Sequence, residues 1–294
     1  MRILILGGDG MLGHRLLTDL SRSHDARVTL RREPAAYASL GLFTERNSYA
    51  GTDLHAPDHL NSVFSDCRPE AVINAAGVLK RPPAGLDPIA NIEINALLPH
   101  RLAAMCRETG AHFVQISTDG VFSGRAGNYS EESEPDPVDP YGHAKLLGEV
   151  TGPKCITLRT SIIGRELVHK TGLLEWFLAQ KGEVRGYKNA IYTGFTTMEM
   201  SRIIEMLITR HSNSSGIYHV SSGPISKFDL LSLVRDKLKL SVDLVPDYEF
   251  KCNLSLDSSR FRRDHSYVPP SWDMMLEELA SEIRGSRGVN RKAK

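Results

Sequence analysis

Apolar runs and helical stretches alternate through the first half of the chain. Ile3 to Leu6 reads as a buried strand, and Met11 to Arg22 as a helix with Leu12, Leu16, Leu17 and Leu20 on one side. Arg27 to Leu30 is a second strand, a short strand precedes Asp53, and Ala71 to Ala75 is a fourth. A long helix over Ile89 to Glu108 leads into a strand over His112 to Ser117. Pro140 to about Val150 is helical, and Cys155 to Arg159 is a sixth strand. Continuous apolar strands separated by amphipathic helices predict an α/β fold, a doubly wound parallel sheet covered on both faces.

The regularity weakens after Arg159. Thr160 to Thr197 is rich in Gly, aromatic and basic residues and shows no clear period. A helix over Met198 to Thr209 is placed to return to the first domain. Strands over Gly216 to Val220 and Val242 to Val245 flank a helix over Lys227 to Leu238. The expected organisation is a dinucleotide-type domain over 1–160 with a returning segment near 190–215. A smaller C-terminal mixed α/β lobe over 161–294 would hold substrate.

Composition narrows the classes. The 294 residues carry a formal net charge of +1, which argues against general nucleic-acid binding. The basic tail after Ile283 reads as a solvated terminus. Cys67, Cys106, Cys155 and Cys252 are scattered, as expected of reduced thiols in a cytoplasmic protein. The opening apolar run is too short for a signal peptide or a membrane span.

The chemistry begins at Gly7-Gly8-Asp9-Gly10-Met11-Leu12-Gly13, between the first strand and the first helix. Glycines there let a backbone approach a pyrophosphate, and the helix N-terminus favours its charge. Gly8, Gly10 and Gly13 fit one glycine spacing; Gly7, Gly10 and Gly13 fit another. This is the Rossmann signature in its proper context. Where an acid would select NAD, the second strand ends in Arg31 and Arg32, with Glu33 too late for that role. Arginine suits a 2′-phosphate, so NADPH is favoured over NADH; an exposed basic loop is the bland alternative. Asp53-Leu54 is placed to border the adenine, and Asn74-Ala75-Ala76-Gly77 leaves room at the carboxyl edge of the sheet. Each is also compatible with ordinary turn chemistry.

Ser117-Thr118-Asp119 ends the fifth strand at that same edge, where a hydroxyl could stabilise charge developing on a carbonyl oxygen. Tyr141 and Lys145 lie four apart and share a helix face. A cation there is expected to favour the phenolate and bring the tyrosine nearer to neutral-pH proton transfer. His55 and His59 are also four apart, but Pro57 between them is read as a helix breaker, so no metal site is expected. His143 points off the Tyr141–Lys145 face. Trp176 and Phe177 read as core or as a dimer-packing helix. Arg165, His169, Lys170, Arg185 and Lys188 form a basic cluster, either surface or a nucleotide-diphosphate site.

Taken in order, the glycine turn, Asn74-Ala75-Ala76-Gly77, Ser117-Thr118-Asp119, and Tyr141 with Lys145 resemble the extended short-chain dehydrogenase/reductase family. Ser117-Thr118-Asp119-Gly120-Val121-Phe122-Ser123-Gly124, Leu158-Arg159-Thr160-Ser161 and Asp257-Ser258-Ser259-Arg260-Phe261 are similar to its dTDP-4-dehydrorhamnose reductase-like branch. The resemblance implies reduction of the C4 keto group of a nucleotide-activated 4-keto-6-deoxy sugar, for cell-surface polysaccharide. Tyr141 would be the general acid, Lys145 would lower its pKa and hold the nicotinamide ribose, and Thr118 would orient the carbonyl. Asp119 would line the substrate site. Gly7, Gly10, Met11, Leu12, Arg31, Asp53, Leu54, Ala75, Ala76 and Gly77 map onto cofactor contacts. Two positions depart from the branch: Gly120 replaces an aromatic residue and Ile162 replaces tryptophan, both beside the sugar, so a modified sugar is expected. The same resemblance leaves room for a homodimer. Its rivals are a sugar-nucleotide 4-epimerase with tightly bound NAD and a regulatory subunit without turnover.

Overall fold

The computed structural model describes residues 1–78, 87–168 and 170–292. The chain opens with β1 (Arg2–Leu6), α1 (Gly13–Leu20), β2 (Asp25–Thr29) and a 3-10 turn over Pro34–Leu40. Then come β3 (Ser48–Tyr49), α2 (Pro57–Cys67), β4 (Ala71–Asn74) and a continuous helical stretch. That stretch is α3 (Pro88–Ala90), a π-helical segment (Asn91–Leu97) and α4 (Leu98–Thr109). It is followed by β5 (His112–Ile116), α5 (Pro140–Leu147) and β6 (Cys155–Arg159). Next are β7 (Ile162–Ile163), α6 (Leu173–Leu178), β8 (Gly182–Tyr192), β9 (Phe195–Thr196) and α7 (Thr197–Arg210). The chain finishes with β10 (Gly216–His219), β11 (Ile225–Ser226), α8 (Lys227–Leu238), β12 (Val242–Asn253), α9 (Ser259–Asp264) and α10 (Trp272–Lys292).

One compact unit comprises Met1–Phe122, Glu134–Arg159 and Met200–Tyr218. Its sheet runs β10-β6-β5-β4-β1-β2-β3, the order of a doubly wound fold. β1 pairs in parallel with β2 and β4, and β4–β5 and β5–β6 continue the parallel ladder. Ile3 to Leu6, Val72, Ile73, Phe113 and Val114 are fully buried, as central parallel strands covered on two faces must be. On one face, Leu4, Leu6, Val72 and Phe113 pack with Leu60 and Phe64 of α2 and with Leu98, Leu102 and Cys106 of α4.

Two readings change here. Pro57 does not break a helix; it begins α2 as its first residue, where its missing N–H costs nothing. The long helix predicted over Ile89 to Glu108 is present, but seven of its residues are π-helical.

The second unit comprises Ser123–Ser133, Thr160–Glu199 and His219–Lys294. Its three-stranded sheet runs β11-β8-β12, with β12 parallel and β11 antiparallel to β8, and β7 pairs in parallel with β9. β8 lay in the stretch that showed no period. Its packed positions include Gly186 and Ala190, so the apolar alternation that announces a strand is muted. A Cβ at Gly186 would come within 3.1 Å of Phe228 Cα on α8, which is why that position is small. Ser123–Ser133 also joins this unit: Tyr129 N–H donates to Ser255 O at 2.9 Å and Asn128 N–H to Ser255 Oγ at 2.7 Å. The basic tail continues α10 as far as Lys292. Within it, Arg284 donates to Lys237 O at 2.9 Å and to Glu277 at 2.7 Å.

Candidate active site

The glycine turn is built by steric exclusion. Gly7 has φ +80°, and a Cβ there would lie 2.8 Å from Ala76 Cα. A Cβ at Gly13 would lie 2.0 Å from Gly7 O, so the first turn of α1 can sit on the turn only without a side chain. Gly10 differs: its Cβ would meet only Gly7 O, at 3.2 Å. Internal packing therefore explains Gly7 and Gly13, and Gly10 is left as the place where backbone is bared to a ligand. α1 carries no side-chain N-cap and no acid in its first turn, so the positive end of its dipole is not offset by a carboxylate there. These features fit a dinucleotide pyrophosphate.

The remaining cofactor candidates are arranged as follows. Arg31 and Arg32 are exposed just beyond β2. Asp53 is exposed, its N–H donates to His59 Nδ1 at 3.1 Å, and its carboxylate accepts from His55 N–H at 2.9 Å. Leu54 and Ala76 pack against the hydrophobic core behind the turn. Ala75 and Gly77 follow β4, and Ala76 N–H donates to Asn74 Oδ1 at 3.3 Å. His55 pairs with Glu93 at 2.7 Å. Among the described residues no group of three His, Cys, Asp or Glu is placed to hold a metal ion.

The acid–base group begins at the N-terminus of α5. Asp139 caps the helix by accepting from Gly142 N–H at 2.8 Å, and Pro140 occupies the first turn. Tyr141 and Lys145 follow on one face, with His143 exposed on another. The Lys145 Nζ is buried and donates to Ile116 O at 2.5 Å, at the carboxyl end of β5. Thr118 begins a 3-10 turn over Asp119–Val121; its Oγ1 accepts from Gly120 N–H at 3.0 Å and lies 3.3 Å from Asp119 Oδ1. The Thr118 hydroxyl lies near enough to the Tyr141 phenol to favour its anion. A Cβ built at Gly120 would lie 3.9 Å from Tyr141 Cε1, so this position adjoins the phenol.

The electrostatics differ from the expected lysine-lowered phenol. Burial pushes the Tyr141 phenol up to about 12, the Thr118 hydroxyl pulls the other way, and the Asp119 and Asp139 carboxylates add to the rise. Desolvation exceeds the help available to the anion. The phenol is accordingly held protonated, as a proton donor must be. Burial also lowers the Lys145 ammonium to about 8, against an opposing effect from Glu149.

Three further groups at this edge escaped the sequence reading. Glu149 accepts from Ser117 Oγ at 2.8 Å and forms two hydrogen bonds with Arg159, at 2.8 and 2.7 Å, with both side chains buried. The spacing Tyr141–Lys145–Glu149 was its available signal. Asn95, in the π-helical segment, exchanges hydrogen bonds with Val78 N–H and O, each at 3.0 Å, and donates to Asn91 Oδ1 at 2.9 Å. It thereby fixes the loop after β4. Tyr37, in the 3-10 turn, donates to Asp9 at 2.8 Å.

In the second unit, Ile162 lies half-buried in β7, opposite Phe195. Within the basic cluster, Arg165 pairs with Glu175 at 2.5 Å and Lys188 with Asp229 at 2.6 Å, while Lys170 and Arg185 are exposed. His169 lies outside the described residues. Phe177 is core and Trp176 is 40% exposed.

A doubly wound sheet with a bared glycine turn at β1 and a Thr–Tyr–Lys group around the end of β5 defines an extended short-chain dehydrogenase/reductase. Within that class the chain belongs to the family described as the RmlD substrate binding domain, which it matches over residues 1–284. It is 26% identical over 306 aligned positions to a dTDP-4-dehydrorhamnose reductase of Aggregatibacter actinomycetemcomitans, covering 95% of this chain and 98% of that one. A reductase of the same name from Burkholderia thailandensis is 32% identical over 166 positions, 55% of this chain and half of that protein. The crystal structure of a dTDP-4-dehydrorhamnose reductase from Clostridium acetobutylicum superposes with TM-score 0.79 at 24% identity, covering 97% of this chain and all of that one.

Proposed function

We propose that the protein reduces the C4 keto group of a nucleotide-activated 4-keto-6-deoxy sugar, using NADPH in preference to NADH. The observation that carries this reading is the placement of Tyr141 and Lys145 on α5 against the Thr118–Gly120 turn, with the Lys145 ammonium fixed on Ile116 O. A bound dihydronicotinamide would supply the hydride to the carbonyl carbon. Tyr141 gives its proton to the oxygen as charge develops there, and Thr118 donates to the same oxygen. The Lys145 ammonium stabilises the phenolate left behind and holds the nicotinamide ribose. Gly10 and the open N-terminus of α1 carry the pyrophosphate, with Met11 and Leu12 beside it. Arg31 and Arg32 take the 2′-phosphate. Asp53, Leu54, Ala75, Ala76 and Gly77 line the adenosine and ribose side, and Asp119 and Gly120 bound the sugar.

The test is NADPH oxidation with a panel of dTDP- and other nucleotide-linked 4-keto-6-deoxy sugars, wild type beside Tyr141→Phe. Removing the acid should lower kcat by about 100-fold or more. Equal rates in the two proteins refute the assignment of Tyr141. An epimerase would instead keep NAD through purification and dialysis, and finding it so retained refutes the reductase reading.

A further inference from the structure

We propose that Tyr37 is a positioning residue for cofactor selectivity. Its hydroxyl ties the loop bearing Arg31 and Arg32 to Asp9 of the phosphate turn, and the tie makes the site discriminate in favour of a 2′-phosphate. This rests on the dinucleotide reading above. Tyr37 is 2% exposed, in a 3-10 turn that otherwise stands mostly in solvent. Its ring packs edge-on against Phe43, with centroids 5.4 Å apart and planes at 74°. Its hydroxyl donates to Asp9 Oδ2 at 2.8 Å and accepts from Arg32 N–H at 3.2 Å. One hydroxyl can do both, since it has one proton and two lone pairs. Burying an aromatic side chain in so exposed a turn, and aiming its polar end at two groups 23 positions apart in sequence, is a built connection rather than a surface accident.

The consequences are electrostatic. Asp9 places a carboxylate within a turn that is otherwise suited to anions. A 2′-phosphate adds a further dianionic group, so a carboxylate free to swing towards it would repel it. The phenolic donor holds that carboxylate in place. The same oxygen fixes the backbone of Arg32, and among the described residues neither the Arg31 nor the Arg32 guanidinium is committed to an ion pair. Loss of the tie therefore weakens a ligand with a 2′-phosphate more than one with a 2′-hydroxyl.

The experiment is direct titration, by fluorescence or calorimetry, of NADPH, NADH, 2′,5′-ADP and 5′-AMP, independent of turnover. Tyr37→Phe keeps the ring and removes the hydroxyl. It is expected to weaken NADPH and 2′,5′-ADP about tenfold while NADH and 5′-AMP change by no more than about twofold. Asp9→Asn keeps an acceptor for the hydroxyl and should retain NADPH affinity within about twofold. Asp9→Glu keeps the charge but lengthens its arm, so the phenol no longer holds the carboxylate at the same place; it should lose NADPH selectively, as Tyr37→Phe does, and decides the matter if that variant does not fold. Equal weakening of all four ligands, or an unchanged NADPH-to-NADH ratio in both Tyr37→Phe and Asp9→Glu, overturns the tie and leaves the cofactor reading standing. A wild-type protein that binds NADH more tightly than NADPH overturns both.

Discussion

Tyr141 and Lys145 show how far a residue-level rule reaches. The four-residue spacing places them on one helix face, and α5 does present them so. The net direction of the phenol is set by burial, which acts on both groups at once and outweighs any lowering by the ammonium. Burial raises the phenol to about 12 and lowers the ammonium to about 8. The alkaline limb of kcat/KM for keto reduction should therefore fall near pH 8 and belong to Lys145, since Tyr141 keeps its proton well above that. Glu149 is the anion that opposes the fall of Lys145, so Glu149→Gln should move the limb to lower pH by roughly one unit. The variant also strands the buried Arg159 guanidinium, at a cost of about 3 kcal/mol. A destabilised but otherwise normal enzyme would keep its limb in place, and that outcome would remove Glu149 from the mechanism.

At the scale of elements, two close approaches decide where the acid–base group sits. A Cβ at Gly142 would lie 2.4 Å from Gly120 O, and one at Gly148 would lie 1.9 Å from Asn95 O. α5 is thus wedged between the turn after β5 and the π-helical segment, and only glycine allows either contact. Gly142→Ala should destabilise the fold by about 1–3 kcal/mol and lower kcat by displacing the Thr118–Gly120 turn. His143→Ala, at the exposed neighbouring position, should stay within about 0.5 kcal/mol of wild type. Thermal melts that fail to separate the two variants would contradict the wedge. The first-half strands were legible because each is a short apolar run bounded by turns. α2 was missed because its leading proline was read as a breaker. The π-helical segment has no local signature in the sequence; within it Asn95 bonds Val78, 17 positions away, and Asn91.

For the whole molecule, stability is tied to pH through His112. It begins β5, is 2% exposed, and neither ring nitrogen has a hydrogen-bond partner among the described residues. Burial, with a smaller effect from Lys154, lowers it to about 4. The unfolded chain binds a proton at this imidazole near pH 6.5, whereas the folded chain waits until about 4. Between those values the unfolded state holds the extra proton, so stability falls as pH falls, by on the order of 3 kcal/mol in all. Urea midpoints measured from pH 7.5 to 4.5 should drop less steeply for His112→Leu than for wild type. Parallel slopes would show that the imidazole is not the group responsible. The division into two units was partly legible from the loss of periodicity after Arg159. The transfer of Ser123–Ser133 to the second unit was not, because backbone bonds from Tyr129 and Asn128 to Ser255 join segments more than 120 positions apart.

The sequence alone determined what is local: the alternation of strand and helix, the glycine turn, and the spacing of Tyr141 and Lys145. Each follows from chain geometry over a few residues. Only the tertiary structure decided the protonation of those groups, the Glu149–Arg159 pair beneath them, the Asn95 brace and the Tyr37–Asp9 tie. Those depend on desolvation and on partners brought together from distant positions, which no local pattern encodes.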